Sequence, residues 1–354
     1  MRSRVSERSP KVLIAGASGF AGAIAARLIQ EHPVFELGPI TARAEAGQRL
    51  VELYPQHRVE AVLEELDIAR HGAAVDAAIV GYPHAAAAPV VKALLDQGVR
   101  VIDLSADFRL RDLATYEAWY GEHPHPELIG DSVYGLPEIY RDQLAGADLV
   151  SGPGCFPTAA LLGLRPLAAG GLLADVVIDA KTGVSGAGRG LSHATSYVTI
   201  NDSISAYKTT GHRHRPEIEQ ELALAGSDVK VTFVPHLVPV DQGEYVSAYA
   251  TLAEPQSADA IVARYAEAYS HEPFVEVVGG PPNTRGVRET NHCRIHVQVE
   301  EHTGRVMIFS AIDNLWKGTA SQAIQSLNVM YGLPETTGLL PGGQTAPSAS
   351  GAHA

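Results

Sequence analysis

Near its N-terminus the chain reads Val12-Leu-Ile-Ala-Gly16-Ala-Ser-Gly19-Phe-Ala-Gly22. The apolar residues predict a buried strand over Lys11–Ala15, and the residues after the turn predict a helix over Ala21–Glu31. Between these elements, three glycines have the spacing G-x-x-G-x-x-G. Glycine permits a tight turn and allows a pyrophosphate to approach the free N–H groups at the start of a helix.

This arrangement predicts a dinucleotide site, because the glycine pattern stands after a first strand and before a helix. A tight turn that binds no ligand is the alternative. The residues assigned to the cofactor in this turn are Gly16, Ala17, Ser18, Gly19, Phe20, Ala21 and Gly22.

Short apolar runs and helical patterns alternate as far as residue 150. We predict further strands over Phe35–Ala42, Ala74–Gly81 and Val99–Leu104, and a helix over Ala85–Gln97. Strands that alternate with helices at this spacing are typical of an α/β fold, here a Rossmann-type doubly wound parallel sheet.

From about residue 155 the pattern changes to successive strands with helices between them, which predicts an α+β domain with a mixed or antiparallel sheet. The predicted strands are Val176–Thr182, Val229–Val238, Tyr245–Leu252, Cys293–Glu300 and Arg305–Ile312. The predicted helices are Pro157–Ala169, Pro216–Leu224, Ala258–Tyr269 and Gly318–Tyr331.

Two domains and two tails follow from these patterns. Residues 11–154 form the predicted cofactor domain, to which a C-terminal helix within 318–340 returns. Residues 155–317 form the predicted catalytic and oligomerisation domain. The polar start at 1–10 and the Gly/Ser/Ala/Pro-rich end at 341–354 predict disordered tails.

Composition limits the kind of protein this is. With 354 residues, 45% hydrophobic and 19% charged, the chain is typical of a globular protein. The net charge of −13 argues against nucleic acid and anionic membranes as partners. Only Cys155 and Cys293 are cysteines, which favours a reducing, cytoplasmic location. We find no apolar run of spanning length and no signal peptide.

The end of the second predicted strand bears on the choice of cofactor. NAD sites usually place an acidic residue there to bind the ribose hydroxyls. Here Arg43, with Thr41 before it, suits a 2′-phosphate, so the sequence favours NADP. Glu45 weighs against this interpretation, and a solvated loop role for Arg43 is the alternative.

The most informative chemical feature is the stretch Ser151-Gly-Pro-Gly-Cys155-Phe-Pro-Thr. It places Cys155 between a Pro-Gly turn and a helical run. Unpaired N–H groups and the positive end of the helix dipole favour the thiolate there. We therefore predict that Cys155 is a nucleophile. Cys293 lies in an alternating strand and is interpreted as structural.

A thiol nucleophile needs a base, and the segment from Thr210 to Glu219 supplies candidates. His212 and His214 are predicted to act in catalysis, and Glu217 to contact the substrate. Two histidines at i and i+2 also suit a metal, but no third ligand with suitable spacing stands nearby, so we expect none. A charged helix start is the plain alternative for one histidine.

Other polar loops add candidates for ligand contacts. Ser105 and Arg109 follow the strand Val99–Leu104, and we assign them to the substrate, with Arg109 able to hold an anion. A loop salt bridge between Asp107 and Arg109 or Arg111 is the alternative.

The loop Lys181–Arg189 could wrap an anion with its backbone N–H groups. From it, Ser185 and Gly186 are assigned to the cofactor and Arg189 to the substrate. Asn314 is assigned to the cofactor, with a helix cap as its alternative.

Together these segments resemble the N-acetyl-γ-glutamyl-phosphate reductase family. The segments that carry the resemblance are Gly16–Gly22, Pro83-His84, Val101–Leu110, Val133–Glu138, Gly152–Ala160, Val184–Arg189, His212–Leu222, Asn314–Gln322 and Leu327–Leu333. The resemblance implies a Rossmann domain, an aspartate-semialdehyde-dehydrogenase-like catalytic domain, NADP as cofactor, an acyl phosphate substrate and a homodimer or homotetramer. It also implies catalysis by Cys155 with the His-Arg-His segment, and places Pro83 at the cofactor.

Two departures from the family pattern affect no reacting group. Phe156 stands where tyrosine is more common, and Ser151-Gly152 stand where asparagine usually precedes the Pro-Gly turn. Three other functions remain open on the sequence: a carrier-linked acyl phosphate reductase of lysine biosynthesis, an aspartate-semialdehyde dehydrogenase, and an NADP-binding redox sensor without turnover.

Overall fold

The computed structural model describes residues 8–340, so most of both predicted tails, at 1–7 and 341–354, lies outside the described residues. The described chain divides into two units. Residues 8–153 and 319–340 form the first, and residues 154–318 form the second.

The strands within the described residues are β1 Lys11–Ala15, β2 Glu36–Thr41, β3 Leu63–Glu64, β4 Ala77–Val80, β5 Arg100–Asp103, β6 Val133–Tyr134, β7 Leu149–Ser151, β8 Leu173–Thr182, β9 Ser205–Ala206, β10 Val231–Leu237, β11 Glu244–Leu252, β12 Val275–Val277, β13 Cys293–Glu300 and β14 Arg305–Ile312. The α-helices are α1 Phe20–Gln30, α2 Leu50–Leu53, α3 Ile68–Gly72, α4 Ala87–Leu95, α5 Leu113–Tyr120, α6 Pro137–Leu144, α7 Cys155–Ala168, α8 Tyr197–Ile200, α9 His214–Ala225, α10 Ala258–Ala268 and α11 Ser321–Met330.

The first unit contains a seven-stranded sheet in the order β3-β2-β1-β4-β5-β7-β6, and every neighbouring pair is parallel. All four residues of β4 are buried, as expected for a parallel strand covered on both faces. The strand order reverses at β1 and β4, which creates the crevice where such sheets bind ligands. The predicted Rossmann-type fold is confirmed.

The second unit contains a mixed seven-stranded sheet in the order β12-β13-β14-β11-β8-β10-β9. The pairs β8–β10 and β12–β13 are parallel, and the other neighbouring pairs are antiparallel. Helix α7 packs on the face that carries Val246, Ile308 and Ser310, because Gly163 of α7 lies against Ile308 and Ser310, and β11 pairs Val246 with Ser310. The predicted α+β architecture is therefore confirmed as well.

The start of α7 differs from the sequence prediction. The helix begins at Cys155, two residues before the predicted Pro157, so the thiol belongs to the first helical residue. Proline is tolerated in the first turn of a helix because its missing N–H would have no partner there. Similarly, α9 begins at His214 instead of Pro216, and α11 begins at Ser321, after a π-helical turn over Trp316–Ala320.

None of the helices in the described part of the chain is long and apolar enough to cross a membrane.

Candidate active site

The turn before α7 presents the Cys155 thiol. Gly154 is the N-cap residue, with extended backbone angles and no side chain to cap the helix. Cys155 is partly exposed, whereas the next residue, Phe156, is only 1% exposed. A thiol in the first turn of a 14-residue helix lies near unpaired N–H groups and the positive end of the helix dipole, and both favour the thiolate.

A carboxylate from α9 holds this turn in place. The Gly154 N–H donates a hydrogen bond of 2.9 Å to Oε1 of Glu217, a residue that is 1% exposed. The Gly154 carbonyl in turn accepts from the Thr158 hydroxyl at 3.0 Å. Sequence analysis assigned Glu217 to the substrate; the structure shows that it positions the nucleophile turn, and its substrate role stays a prediction.

Both predicted histidines lie beside this turn. The imidazole of His214 packs against the Cα of Gly154, where a Cβ would come within 2.6 Å of Nε2. The backbone N–H of His214 donates to Nδ1 of His212 at 3.1 Å. That bond leaves the proton of a neutral His212 ring on Nε2, because Nδ1 must be the acceptor.

His212 is packed among aromatic rings. Its ring centroid lies 5.7 Å from Phe156, 5.1 Å from Phe233 and 5.6 Å from Tyr207. Burial, with smaller contributions from the charges of Lys208 and Arg213, lowers the pKa of His212 to about 4. His212 is therefore neutral near pH 7 and a poor carrier of protons at that pH.

Phe156 explains why the missing tyrosine hydroxyl is tolerated. Its buried ring makes edge contacts with His212 at 5.7 Å, His214 at 5.9 Å and Phe233 at 5.4 Å. These contacts use the ring alone, so a phenylalanine suffices to pack both histidines.

Sequence reasoning missed a buried carboxyl group beside the thiol. Glu244, the first residue of β11, is 0% exposed, and its carboxyl group neighbours the Cys155 thiol and the Thr182 hydroxyl. Burial raises the pKa of Glu244 to about 8. The sequence did contain one signal: Glu244 lies two and four residues before Val246 and Ala248, so it shares the inward-facing side of the strand with them.

Asn314 organises the loop assigned to the ligands. Its Oδ1 accepts from the Gly243 N–H at 2.7 Å, and its Nδ2 donates to the Ser185 hydroxyl at 3.0 Å. The alternative role as a helix cap does not hold, because α11 starts at Ser321 and the carboxylate of Asp313 accepts the N–H groups that follow it.

The prediction that the loop Lys181–Arg189 wraps an anion with backbone N–H groups is wrong for most of that loop. Five of its N–H groups donate to carbonyl oxygens of the protein itself, so they do not point at a ligand. These are the N–H groups of Gly183, Val184, Ser185, Gly186 and Gly188. Arg189 is exposed, and its substrate role, like the cofactor roles of Ser185 and Gly186, stays a prediction.

In the first unit, steric constraints require glycine at two positions of the turn between β1 and α1. Gly16 has a φ of +89°, and a Cβ on it would lie 2.7 Å from the Gly81 carbonyl oxygen. A Cβ on Gly22 would overlap the Gly16 carbonyl oxygen, so α1 can approach β1 only with glycine there. Gly19 is the N-cap of α1, and the first N–H groups of the helix are therefore available to a phosphate.

Some N–H groups of that turn are already hydrogen-bonded within the protein and cannot bind a phosphate. Those of Gly16 and Ala17 donate to the Thr41 carbonyl oxygen at 3.0 and 2.9 Å. Thr41 is buried at the end of β2, with its hydroxyl 3.4 Å from that of Tyr82. Arg43 is exposed just beyond the strand, where a side chain can meet a 2′-phosphate.

Ser105 and Arg109 make contacts that stabilise the loop after β5. The Ser105 hydroxyl donates to Asp103 at 2.6 Å and accepts from the Asp107 N–H at 3.0 Å. Arg109 donates to the carbonyls of Gly152 at 2.7 Å and Leu104 at 2.9 Å. Their substrate roles stay predictions.

Two further expectations concern Pro83 and metals. Pro83 is exposed between β4 and α4, and its carbonyl accepts the first N–H groups of the turn that leads into α4. Within residues 8–340 no group of three or more His, Cys, Asp or Glu side chains is arranged to hold a metal ion.

Each of the two units matches a protein-family model. The family model for the semialdehyde dehydrogenase NAD-binding domain matches residues 11–147, and that for the semialdehyde dehydrogenase dimerisation domain matches residues 155–314. Among solved structures, aspartate semialdehyde dehydrogenase with NADP from Candida albicans shares the fold. It has a TM-score of 0.67 at 15% identity, over 91% of this chain and 98% of that one.

Curated relatives are much closer in sequence. N-acetyl-gamma-glutamyl-phosphate reductase from Desulforudis audaxviator is 46% identical, over 93% of this chain and 98% of the relative. The enzyme of the same name from Halorhodospira halophila is 49% identical, over 93% of this chain and 97% of the relative.

Proposed function

The chain belongs to the N-acetyl-gamma-glutamyl-phosphate reductase family, and from that premise we propose that it reduces N-acetyl-L-glutamyl 5-phosphate to N-acetyl-L-glutamate 5-semialdehyde and phosphate, with NADPH, in arginine biosynthesis. The observation that carries this proposal is the Cys155 thiol in the first turn of α7, with His214 packed against the same turn. The family assignment does not favour the carrier-linked, aspartate-semialdehyde or sensor alternatives.

Cys155 begins the reaction as the nucleophile. Its sulfur attacks the acyl carbon, a C–S bond forms, and the bond from carbon to the phosphate oxygen breaks. The thiol proton passes to His214, and phosphate leaves. The N–H groups at the start of α7 favour the thiolate before attack and stabilise the oxyanion during it.

The acid/base role belongs to His214 in this proposal. His212 is neutral near pH 7, and its Nδ1 accepts the His214 N–H, so its ring serves to orient the neighbouring residue. His214 returns its proton to the substrate oxygen when the thioester is reduced. It takes that proton back when the C–S bond of the thiohemiacetal breaks, so that the aldehyde and the Cys155 thiolate are released.

The glycine turn is the site proposed for the cofactor. Gly16 and Gly22 provide the close approach, and the start of α1 provides the N–H groups for the pyrophosphate. When bound, NADPH supplies the hydride that reduces the thioester. We assign residues 11–154 with 318–340 to cofactor binding and residues 155–317 to the chemistry.

Phosphate-dependent reduction of NADP by the purified protein tests this function. N-acetylglutamate semialdehyde and aspartate semialdehyde are supplied separately, and the absorbance of the reduced nicotinamide is followed. We expect turnover with the acetylated substrate alone. Cys155→Ser should abolish turnover. Cys293→Ser should retain turnover, because the buried Cys293 thiol lies 3.3 Å from the Ser310 hydroxyl and has no proposed part in the chemistry. Turnover only with aspartate semialdehyde would refute the proposal.

Assembly of identical subunits is proposed through the sheet face opposite α7. That face carries half-buried side chains of the kinds enriched at interfaces, namely Tyr245, Tyr249, Met307 and Phe309. A family model named for dimerisation covers these strands. Light scattering should report a dimer or tetramer that Tyr249→Arg weakens and Val262→Glu, on α10, does not.

The proposed location is the reducing cytoplasm. Both cysteines are free thiols in the described structure, as is typical of a reducing compartment.

A further inference from the structure

We propose that Glu244 is the proton-bearing partner of the Cys155 sulfur: its carboxylic acid donates a hydrogen bond to the thiolate. The inference rests on the assignment of Cys155 as the nucleophile in the proposed function. It adds a carboxyl group to a reaction in which the other residues so far are a thiol, a histidine and backbone N–H groups.

The strand register places Glu244 on the correct face of the sheet. Glu244 pairs with Thr182 of β8 on one side and with Ile312 of β14 on the other. Side chains alternate along a strand, so Glu244 shares a face with Val246. That is the face on which α7 packs, and Cys155 is the first residue of α7.

The end of β14 brings the sheet close to the thiol. A Cβ on Gly318 would lie 2.9 Å from the Cβ of Cys155 and 3.3 Å from Cδ1 of Ile312, the register partner of Glu244. The bare Cα of Gly318 therefore lets Cys155 approach this end of the sheet. The carboxyl group of Glu244 neighbours both the Cys155 thiol and the Thr182 hydroxyl.

Glu244 has little else to bind. Both of its carboxyl oxygens are buried, and neither makes a hydrogen bond of good distance and angle with another described residue. A buried polar group without a strong partner costs free energy, so a position like this one needs an explanation. A short movement of the Cys155 thiol or the carboxyl group completes a hydrogen bond between them.

The surroundings keep this carboxyl group protonated at neutral pH. Burial is the largest effect and raises the pKa of Glu244 to about 8, with a smaller contribution from the negative charge of Asp313. The neighbouring Cys155 and Thr182 oppose this increase only partly. Tyr207 faces the same site, and its own pKa is raised by burial and by the charges of Cys155 and Glu244.

The protonation state decides what Glu244 does to the sulfur. As a neutral acid it donates its O–H to the thiolate and stabilises the nucleophile, and later the leaving sulfur. As a carboxylate, above pH 8, it repels the thiolate and disfavours the nucleophilic form of Cys155. The two acids form a coupled pair, so the thiol loses its proton over a broad pH range.

The pH dependence of Cys155 alkylation by iodoacetamide tests the pair without substrate or cofactor. Mass spectrometry of the Cys155 peptide confirms the site of reaction. Glu244→Gln keeps a donor that cannot ionise, and Glu244→Leu removes the donor. Asp241→Asn is the control, because Asp241 is an exposed acid of the same segment that pairs with Arg288 at 2.7 Å.

We expect a broad profile for the unaltered protein and for Asp241→Asn. Glu244→Gln should give a sharper one-proton curve with a lower midpoint. Glu244→Leu should react about tenfold more slowly than Glu244→Gln at pH 7, as loss of a hydrogen bond to a charged group predicts. Thermal unfolding checks that both variants fold, and Glu244→Gln preserves the test if the leucine variant does not.

Superimposable profiles for all four proteins, or a higher midpoint in Glu244→Gln, would overturn the pairing. If the profiles differ as expected but no semialdehyde is turned over, the pairing stands and the proposed function fails. The two proposals are therefore tested by separate readouts.

Discussion

The imidazole of His214 lies so close to the Cα of Gly154 that a Cβ on residue 154 would be 2.6 Å from its Nε2 atom. The ring belongs to α9, and Gly154 is the N-cap of the helix that carries Cys155. A backbone position next to the nucleophile therefore sets the place of the proposed acid/base, and the absence of a side chain makes this contact possible.

Substituting Gly154→Ala should displace the His214 ring and lower kcat at least tenfold. Positioning errors of about 1 Å can cost about a hundredfold in rate. Gly190→Ala is the matched control, because a Cβ there meets nothing within 4 Å. Steady-state kinetics with the acetylated semialdehyde measures both, and equal rates would contradict the steric argument.

The two histidines should respond differently to substitution. His214→Asn should lower kcat by about 10²–10⁴-fold, the usual contribution of a general acid/base. His212→Asn should lower kcat less, since the His212 ring is neutral near pH 7 and serves for packing. The kcat values at saturating substrate decide the assignment; a larger loss in His212→Asn would reverse it.

The buried His212 should also make the fold sensitive to acid. The pKa of His212 is about 4 in the folded protein, whereas the ordinary pKa of histidine is 6.5, so the unfolded chain binds more protons between these values. Stability should therefore fall as the pH decreases from 6.5 towards 4.

His212→Phe removes this proton site and keeps an aromatic ring in the cluster. Between pH 7.5 and pH 5, the free energy of unfolding should decrease by about 2 kcal/mol more in the unaltered protein than in the variant. Urea unfolding at the two pH values measures the difference. An equal decrease in both proteins would show that the pKa of His212 does not differ between the folded and unfolded states, which would contradict the effect of burial.

Alanine substitutions at two glycines of the turn before α1 should have different effects. Gly22→Ala forces a Cβ into the Gly16 carbonyl oxygen, so it should destabilise the first unit and lower Tm by several degrees. Gly19→Ala meets only an ordinary contact at 3.5 Å, so it should fold normally but bind NADP more weakly. Calorimetry and NADP titration separate the effects, and an unchanged Tm in Gly22→Ala would refute the packing argument.

Arg43→Ala should weaken NADPH much more than NADH. The exposed guanidinium follows β2, where the 2′-phosphate is expected. Lys92→Ala removes a positive charge elsewhere in the same unit, where Lys92 pairs with Asp96, and should affect neither cofactor. Dissociation constants from fluorescence titration provide the comparison, and equal losses for both cofactors would reject the 2′-phosphate role.

Local patterns predicted the elements whose burial alternates regularly. Strands Cys293–Glu300 and Arg305–Ile312 have the predicted bounds, because alternate inward and outward residues define their length. The start of α7 was misplaced by two residues. Its N-cap is a glycine held by the carboxylate of Glu217, and such a distant partner leaves no mark on neighbouring residues.

Contacts distant in sequence also explain what was missed in the site. The role of Glu244 was not predicted because its neighbours in the chain form no catalytic motif. Its proposed role comes from its contacts with Cys155 and Thr182, which belong to other elements. Conversely, the loop Lys181–Arg189 has a glycine-rich composition typical of an anion site, yet most of its N–H groups bind carbonyls. Composition could not reveal those partners.

The hydrogen bond from Gly154 to Glu217 joins residues 63 positions apart, and this separation has a consequence for folding. A loop of that length closes late relative to local helices and hairpins, because its entropy must be lost before the contact stabilises the chain. Helix α7 can form locally with Cys155 in its first turn, but Glu217 and His214 reach that turn only once α9 has docked. The proposed nucleophile and its proposed base therefore meet only late in folding, so an incompletely folded chain lacks the complete site for acylation.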